Sequence, residues 1–184
     1  MPQRELAMHF VCPRDRGRAL VAAQARFWIS ECGCRQHRGG CRTARLDVCL
    51  SFRVDGAGAT TGRREVSRAE AEALFHEAKQ QHLVVRPFRN EARTAAEGIC
   101  FCCDDCCEYF RGAEPSCDRA DVIEQTDATV CSHCGACVDV CYFHARHMAD
   151  GELQLDRDNC YGCGLCLDVC PLDCIQLVPR TGPA

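Results

Sequence analysis

The sequence predicts an α+β protein of two units, and three observations lead to that prediction. Segments with helical periodicity alternate with short apolar segments that are typical of strands. A polar stretch without apolar periodicity divides the chain. Cysteine accounts for 20 of the 184 residues, and most of the cysteines lie in two groups, one on each side of that stretch. We therefore expect two small cysteine-rich domains joined by a linker.

The polar stretch gives the expected domain boundaries. Residues 112–125 contain Pro115 and several acidic side chains, so we interpret them as the linker. Residues 1–111 then form a small helical or α+β domain, and residues 126–184 form the second domain.

The first domain is predicted to begin with a helix over residues 19–29, where Leu20, Ala23 and Phe27 fall near one face. A short strand over 49–54 follows. Residues 55–62 are rich in glycine and predict a turn. A phosphate-binding loop is a weak alternative there, because the Gly-Lys-Ser/Thr ending is absent.

A second helix is predicted over residues 68–81. Ser67 and Glu70 form the pattern of a capping box, and apolar residues then recur at helical spacing. Residues 83–88 have the composition of a short strand, which we expect to end at Pro87.

Charge is spread unevenly along the chain, whose formal net charge is -4. Residues 1–53 carry ten arginines against four acidic residues, whereas residues 131–184 carry three basic and seven acidic residues. The arginines of the first segment are mixed with cysteines and apolar residues, and no nucleic-acid-binding signature accompanies them. We expect no nucleic-acid partner.

The start of the chain lacks the basic and apolar regions of a signal peptide, and no run of about 18 apolar residues occurs. These features predict a cytoplasmic protein without membrane insertion. Thiols stay reduced in the cytosol, so closely spaced cysteines there favour metal binding over disulfides.

The strongest motif is a repeated C-x2-C-x2-C-x3-C run over residues 131–141 and 160–170. This is the ligand pattern of bacterial two-cluster ferredoxins, in which the fourth cysteine of each run binds the other [4Fe-4S] cluster. Zinc sites with four cysteines use separated pairs instead, which two complete runs do not match. The motif predicts one cluster held by Cys131, Cys134, Cys137 and Cys170, and a second held by Cys160, Cys163, Cys166 and Cys141.

The sequence around these runs predicts two strands, because residues 152–156 and 175–178 alternate like strands of small hairpins. Cys174 follows the second run, and we expect it to be a buried apolar thiol. His133 lies between two predicted ligands, and we expect a surface or hydrogen-bonding role for it.

A second group of cysteines lies on both flanks of the capped helix, so these cysteines are expected to converge in space. Thiolates in a cytosolic protein select iron–sulfur clusters or zinc, so an additional iron–sulfur cluster is favoured and zinc is the alternative. Directly adjacent cysteines cannot easily all bind one metal, so some should be spare. Cys12 and Cys117 stand apart as isolated thiols. The candidate ligands are Cys32, Cys34, Cys41, Cys49, Cys100, Cys102, Cys103, Cys106 and Cys107.

Residues 125–180 resemble a bacterial-type two-[4Fe-4S] ferredoxin, although Tyr142 stands where proline commonly follows the first run. From about Ala19 to Val178, the chain resembles a family of longer 4Fe-4S ferredoxin-domain proteins of anaerobic and metabolically versatile microbes. Its Cys-x-Cys-Arg, Cys-Leu-x-Phe, Ser-x-x-Glu and Cys-x-Cys-Cys-x-x-Cys-Cys stretches carry that likeness. The resemblance implies a ferredoxin-like module at the carboxyl end and metal binding in the first half.

The predicted function is single-electron transfer through two [4Fe-4S] clusters, with an additional amino-terminal iron–sulfur site, to or from a redox protein or oxidoreductase. A redox-sensing regulator and an electron-relay subunit of a larger oxidoreductase complex are the alternatives. No nucleophile–base–carboxylate set or dinucleotide fingerprint occurs, which disfavours an autonomous enzyme. The acidic last segment suits docking to a basic partner surface.

Overall fold

The computed structural model describes residues 5–54, 62–112 and 116–180. Helices and small antiparallel sheets alternate along these ranges, in agreement with an α+β protein. The first half contains α1 (Arg14–Ala22), β1 (Phe27–Ser30), α2 (Gly33–His37), β2 (Cys49–Ser51), β3 (Arg64–Val66), α3 (Arg68–Gln80), β4 (Val84–Arg89) and β5 (Ala96–Cys102). The second half contains β6 (Val122–Thr126), α4 (Ala136–Asp139), β7 (Arg146–Ala149), β8 (Glu152–Leu155), a 3-10 turn (Arg157–Asn159), α5 (Leu165–Asp168) and β9 (Ile175–Pro179).

The first half is built on a five-stranded antiparallel sheet in the order β3-β1-β2-β5-β4. Helices α1 and α3 contact each other and pack on this sheet. Phe75 of α3 meets Phe101 of β5 edge to face, with ring centroids 5.1 Å apart. A Cβ atom on Gly17 would lie 2.7 Å from the Val85 side chain, so glycine permits the close approach of α1. The apolar core lies between the helices and this face of the sheet.

Side chains along β5 alternate between the two faces of the sheet, as strand geometry requires. Ile99 and Phe101 belong to the apolar core beneath the helices. Cys100 and Cys102 belong to a separate buried cluster, which also includes Val84 and Cys107. The face away from the helices is therefore the one that carries these cysteines.

The capped helix is confirmed. The Ser67 side chain accepts from the backbone N–H of Glu70, and the Glu70 carboxylate accepts from the backbone N–H of Ser67. The prediction of one helix over residues 19–29 was wrong, because α1 ends at Ala22 and Phe27–Ser30 form β1. All four residues of β1 are buried, and they pair with β2 on one side and β3 on the other.

The strand near Pro87 does not end there, contrary to the prediction, but continues to Arg89 as β4. Strand β4 lies at the edge of the five-stranded sheet, where proline is tolerated. Pro87 contributes only its carbonyl on the outer side, where it accepts from the Phe10 N–H at 3.0 Å. The predicted glycine-rich turn falls mainly on residues 55–61, which lie outside the described residues.

The second half has two small two-stranded sheets. Strands β7 and β8 form the predicted hairpin, whereas β9 pairs with the distant strand β6. Strand β6 begins at Val122, so the last residues of the predicted linker are part of a strand. The division into domains at residues 112–125 stays a prediction.

The two halves are in contact. Arg14 of α1 forms a bidentate ion pair with Asp168 of α5, and Arg16 pairs with Asp121 at 2.6 Å. Within the described residues, no helix has both the length and the apolar character needed to cross a membrane.

Candidate metal centres

The cysteines of the second half line two cavities. The first cavity is bordered by three cysteines of the first run and by the last cysteine of the second run, namely Cys131, Cys134, Cys137 and Cys170. The second cavity is bordered by the complementary set, Cys141, Cys160, Cys163 and Cys166. The fold thus brings together the same two sets that the sequence motif predicts. Four thiols around a cavity fit the donor set of a [4Fe-4S] cluster.

Glycines let the backbone wrap tightly around both cavities. Gly135 and Gly164 precede α4 and α5 with φ values of 78° and 83°, a conformation that side chains disfavour. Gly162 has φ 71°, and a Cβ atom there would lie 2.2 Å from the carbonyl oxygen of Val122. The loops between the cysteines therefore need glycine for both their conformation and their contact with β6.

A buried ion pair lies between the two cavities. Arg146 lines the second cavity and donates at 3.3 Å to the Sγ atom of Cys137, which lines the first. The same guanidinium donates to the Glu124 carboxylate at 2.5 Å and to the Thr126 hydroxyl at 2.9 Å. The cysteine motif does not predict this role of Arg146. Its partner Glu124 lies 22 residues away along the chain, so the ion pair produces no local sequence pattern.

The comparison with family models decides what this half of the chain is. A model of the 4Fe-4S dicluster domain matches residues 123–174, which span β6, both cysteine runs and Cys174. Residues 123–174 are therefore similar to a 4Fe-4S dicluster domain. The comparisons with curated proteins and with solved structures gave no match. The match leaves residues 1–122 without an assigned family, so the dicluster domain covers less than half of the chain.

Cys174 differs from the expectation of a buried apolar thiol. It is half-buried and lines the first cavity of the dicluster domain, with its Sγ atom 3.4 Å from that of Cys170. His133 has the predicted hydrogen-bonding role, because its Nδ1 atom accepts from the Leu153 N–H at 2.8 Å. His133 therefore ties the first run of the dicluster domain to β8.

Six of the nine amino-terminal cysteines form a closed ring of thiols, which we call the six-thiol ring. Each thiol is a hydrogen-bond partner of the two beside it in the ring. Two come from the start of α2, one from β2, two from the outer face of β5 and one from the turn after β5. In order around the ring they are Cys32, Cys34, Cys107, Cys102, Cys100 and Cys49.

The six-thiol ring borders a cavity of about 390 Å³. One water molecule occupies about 30 Å³ in the liquid, so the cavity has room for a group of several atoms. Arg86 projects from β4 into this region and donates to Cys107 Sγ at 3.2 Å. Hydrogen bonds from Cys107 and Cys32 lower the pKa of the Cys34 thiol to about 2. The ring therefore combines soft donors, one readily ionised thiol and a buried cation.

The other three amino-terminal cysteines form a separate group, the three-thiol cluster, which consists of Cys41, Cys103 and Cys106. The Sγ atom of Cys103 lies 3.5 Å from that of Cys41 and 3.7 Å from that of Cys106. The hydrogen bond with Cys106, together with weaker ones, lowers the pKa of Cys103 to about 5. Because the hydrogen bonds outweigh the effect of burial here, Cys103 ionises more readily than Cys106, whose pKa the same hydrogen bond and burial raise.

The nine cysteines thus converge, as predicted, but in two groups. The adjacent pairs are split between them: Cys102 and Cys107 belong to the ring, and Cys103 and Cys106 belong to the cluster. Every one of the nine contacts another cysteine. The expectation that some of them are spare as metal ligands stays a prediction.

Cys12 and Cys117 remain outside both groups, and each is 5 % exposed. Burial raises the pKa of Cys12 to about 12, so this thiol stays protonated near neutral pH. His37 contacts the Glu108 carboxylate at 3.2 Å and has a largely exposed side chain.

Aromatic side chains separate the six-thiol ring from the second cavity of the dicluster domain. Phe143 and Tyr161 line that cavity and stack at 4.2 Å between centroids. The Tyr109 hydroxyl donates to that of Tyr161 at 2.8 Å, and the Arg86 guanidinium lies 4.8 Å from the Tyr109 ring. We call this group the aromatic wall; its members are Tyr109, Phe110, Tyr142, Phe143 and Tyr161.

Proposed function

We propose that this protein is an electron carrier with a ferredoxin-like module that holds two [4Fe-4S] clusters and exchanges single electrons with a redox enzyme. Two cavities carry the proposal: each is bordered by four cysteines of the two runs, and the first is also bordered by Cys174, within the part of the chain that matches a 4Fe-4S dicluster domain. When bound, such clusters accept and donate single electrons. One ligand set would be Cys131, Cys134, Cys137 and Cys170, and the other Cys141, Cys160, Cys163 and Cys166.

The surroundings of the two cavities suit this chemistry. Arg146 presents a buried positive charge and a hydrogen bond to Cys137, both of which favour added negative charge at the sulfurs. Burial raises the pKa of the Cys163 thiol to about 12. This thiol therefore stays protonated near neutral pH when no cation lies beside it. Metal binding would displace that proton, since thiols bind metal as thiolates.

The first cavity is the one nearer to solvent, which supports it as the place of exchange with a partner. Cys134 is exposed, and so are Asp139 and Asp173, which lie close to the cysteines in sequence. Opposite charges on a partner would steer the encounter and fix its orientation. We therefore propose a redox partner with a basic docking face.

The six-thiol ring supports an additional amino-terminal iron–sulfur site as part of the same proposal. Its six soft donors border a cavity for a polyatomic group. Arg86, packed on Tyr109 and donating to Cys107, offsets thiolate charge on that side. The aromatic wall contacts both sites, since Tyr109 packs on Arg86 and donates to Tyr161, which lines the second cavity. The two sites are therefore neighbours within one chain.

The experiment that tests the dicluster assignment compares Cys163→Ala with Cys12→Ala in anaerobically purified full-length protein. Cys163 borders the second cavity, whereas Cys12 is a buried cysteine outside every group. We expect Cys163→Ala to lose most of the iron and sulfide of one cluster, or about four of each per chain. The EPR spectrum of the reduced variant should also lose the features that arise from two interacting clusters.

Cys12→Ala should keep the iron, the sulfide and the spectrum of the unaltered protein. Unchanged iron and sulfide in Cys163→Ala would refute the ligand set of the second cavity. A two-electron wave in a redox titration of the unaltered protein would refute single-electron exchange.

A further inference from the structure

The three-thiol cluster has dimensions that differ from those of the other cysteine sites. The Sγ atoms of Cys41, Cys103 and Cys106 all lie within 4.8 Å of one another. Among the described residues, no other three His, Cys, Asp or Glu side chains bring their ligand atoms so close together. No three of the described sulfurs that border the two cavities of the dicluster domain lie so close together, although the pair Cys170 and Cys174 is 3.4 Å apart.

The distances between these sulfurs match those expected between the ligands of a single tetrahedral metal ion. Zinc binds thiolate sulfur at about 2.3 Å, and two sulfurs on a tetrahedral ion are then about 3.8 Å apart. The observed separations are 3.5 Å between Cys41 and Cys103 and 3.7 Å between Cys103 and Cys106. The cluster is already arranged for a single ion, without room between the sulfurs for a polyatomic group.

The origin of the three thiols also fits a zinc site. Cys103 and Cys106 form a C-x2-C pair in the turn that follows β5, and such pairs are typical zinc ligands. Cys41 comes from the loop after α2, so an ion there would join two distant segments of the first half. Cys103 and Cys106 are buried and Cys41 is half-buried, which leaves the Cys41 side open to solvent.

A buried cation balances the charge that such a site would carry. Three thiolates and one divalent ion leave one net negative charge. Arg35 is fully buried and is a hydrogen-bond partner of Cys106, and it donates to the carbonyl of Phe101 at 2.9 Å. A fixed cation beside Cys106 stabilises an anionic site in an apolar environment.

We propose that Cys41, Cys103 and Cys106 bind one zinc ion, with a solvent molecule as the fourth ligand, at a site distinct from the six-thiol ring. The site goes beyond the proposed electron-transfer function, because zinc has no redox chemistry. It would fasten the loop after α2 to the end of β5. Helix α2 carries Cys34 and β5 carries Cys102 of the ring, so the zinc ion would also fix the positions of these two ring thiols relative to each other.

The test measures zinc, iron and sulfide in anaerobically purified full-length protein and in two variants. Unaltered protein should contain about one zinc per chain, and its zinc X-ray absorption should indicate three sulfur neighbours at about 2.3 Å and one oxygen. Cys41→Ser should lose zinc to below about 0.2 per chain and keep the iron and sulfide of the dicluster domain. The matched control Cys100→Ser, in the ring, should keep its zinc.

Zinc retained by Cys41→Ser, or zinc absent from the unaltered protein, would overturn the proposal. A disulfide between Cys41 and Cys103 in the anaerobic protein would also overturn it. If Cys41→Ser does not fold, the zinc X-ray absorption of the unaltered protein decides alone, and a site without sulfur neighbours refutes the proposal. None of these outcomes alters the iron loss expected in Cys163→Ala. The zinc proposal can therefore be refuted while the proposed electron-transfer function stands, and the reverse is also true.

Discussion

Arg35, Arg86 and Arg146 share an unusual position, since each is buried and each donates to a cysteine sulfur. A buried guanidinium is costly unless an anion lies beside it. Neutral thiols provide no such anion, whereas thiolates that hold a metal do. Arg146 already has the Glu124 carboxylate beside it, so this argument applies to Arg35. Arg35 therefore favours the metal-loaded state of the site at Cys106, and metal loading should stabilise the fold.

Arg146 permits the sharpest test at a single residue. In Arg146→Met, the Glu124 carboxylate, 3 % exposed, loses its buried cation and keeps the Arg157 contact at 3.3 Å and the hydrogen bond from the Thr126 hydroxyl at 2.6 Å. Removal of one partner of a buried ion pair costs about 3–5 kcal/mol. We expect a lower urea midpoint for the loss of cluster absorbance under anaerobic conditions. Loss of the hydrogen bond to Cys137 should also lower the reduction potential of one cluster, because that bond favours the more negative state.

The double variant Glu124→Gln/Arg146→Met provides the control, since it removes the buried carboxylate charge together with its partner. The double variant should regain much of the urea midpoint that Arg146→Met loses. The reduction potential of the affected cluster should stay low, because the hydrogen bond to Cys137 is still missing. A double variant no more stable than Arg146→Met would show that an uncompensated Glu124 charge is not the cause.

At the scale of elements, the capping box makes α3 the best-defined helix of the chain. In Ser67→Ala, the backbone N–H of Glu70 loses its side-chain acceptor. Loss of such an N-cap costs about 1 kcal/mol. We expect a correspondingly lower urea midpoint, with unchanged iron content. Ser116→Ala, at an exposed serine outside any helix, should leave the midpoint where it is. Equal midpoints for Ser67→Ala and the unaltered protein would contradict the role of the cap.

The contribution of the start of α3 to folding stability should depend on pH. Hydrogen bonds with Ser67, and the Arg64 guanidinium at 2.7 Å, lower the pKa of Glu70 from 4.5 to about 2. A carboxyl group with a lowered pKa stabilises the folded state above its unfolded pKa, and this stabilisation fades as the pH falls below 4.5 towards 2. Glu70→Gln should therefore be less stable than the unaltered protein at pH 7, and the difference should shrink at pH 4. A difference that is constant with pH would contradict this.

Local signals of this kind explain which elements the sequence predicts well. Ser67 and Glu70 lie within one helical turn, so the start of α3 is visible without any knowledge of the fold. Strand β1 is different, because Phe27–Ser30 are apolar or small throughout and have no alternation. Its strand conformation depends on β2 and β3, which lie more than 15 residues away along the chain. Tertiary pairing decides such a segment, and sequence periodicity does not.

The same limit applies to the amino-terminal cysteines. Soft-metal chemistry is evident from nine thiols in a short region, but their division into two groups depends on the end of β5. Cys102 belongs to the buried cluster on the outer face, and Cys103 belongs to the core beneath the helices. Cys102 is the last residue of β5 and Cys103 is the first residue after it. Their side chains lie on opposite sides of the sheet, so the pair Cys102-Cys103 contributes to two groups. The grouping of the cysteines in the two dicluster runs was easier to predict, because the order of ligands in such runs is a known pattern.

At the scale of the whole molecule, the proposed metal sites form a series. The six-thiol ring in the first half comes first, the second cavity of the dicluster domain follows, and the first cavity comes last, at the surface. The six-thiol ring, the aromatic wall and the second cavity are adjacent, and Arg146 connects the second cavity with the first. The first cavity has the exposed Cys134 at its border. Exchange with soluble redox partners should therefore occur at the first cavity, where the surface is acidic.

Ionic strength tests this placement with two small oxidants of opposite charge. Oxidation of the reduced protein by cationic hexaammineruthenium(III) should slow at least about threefold between about 0.01 and 0.5 M salt, because screening weakens the attraction. Oxidation by anionic ferricyanide should accelerate over the same range. Stopped-flow absorbance at the cluster band measures both rates. Rates that change in the same direction for the two oxidants would contradict an acidic exchange surface.

Two further variants locate that surface. Asp173→Asn removes an exposed charge beside the first cavity, whereas Glu72→Gln removes a partly exposed charge from α3 in the first half, where it pairs with Arg18 at 3.6 Å. The salt dependence with the cationic oxidant should weaken in Asp173→Asn and stay unchanged in Glu72→Gln. If Glu72→Gln weakens it equally, the net charge of the molecule governs the rate. Exchange at the first cavity requires the two variants to differ, because screening limits each charge to a range of about 10 Å at 0.1 M salt.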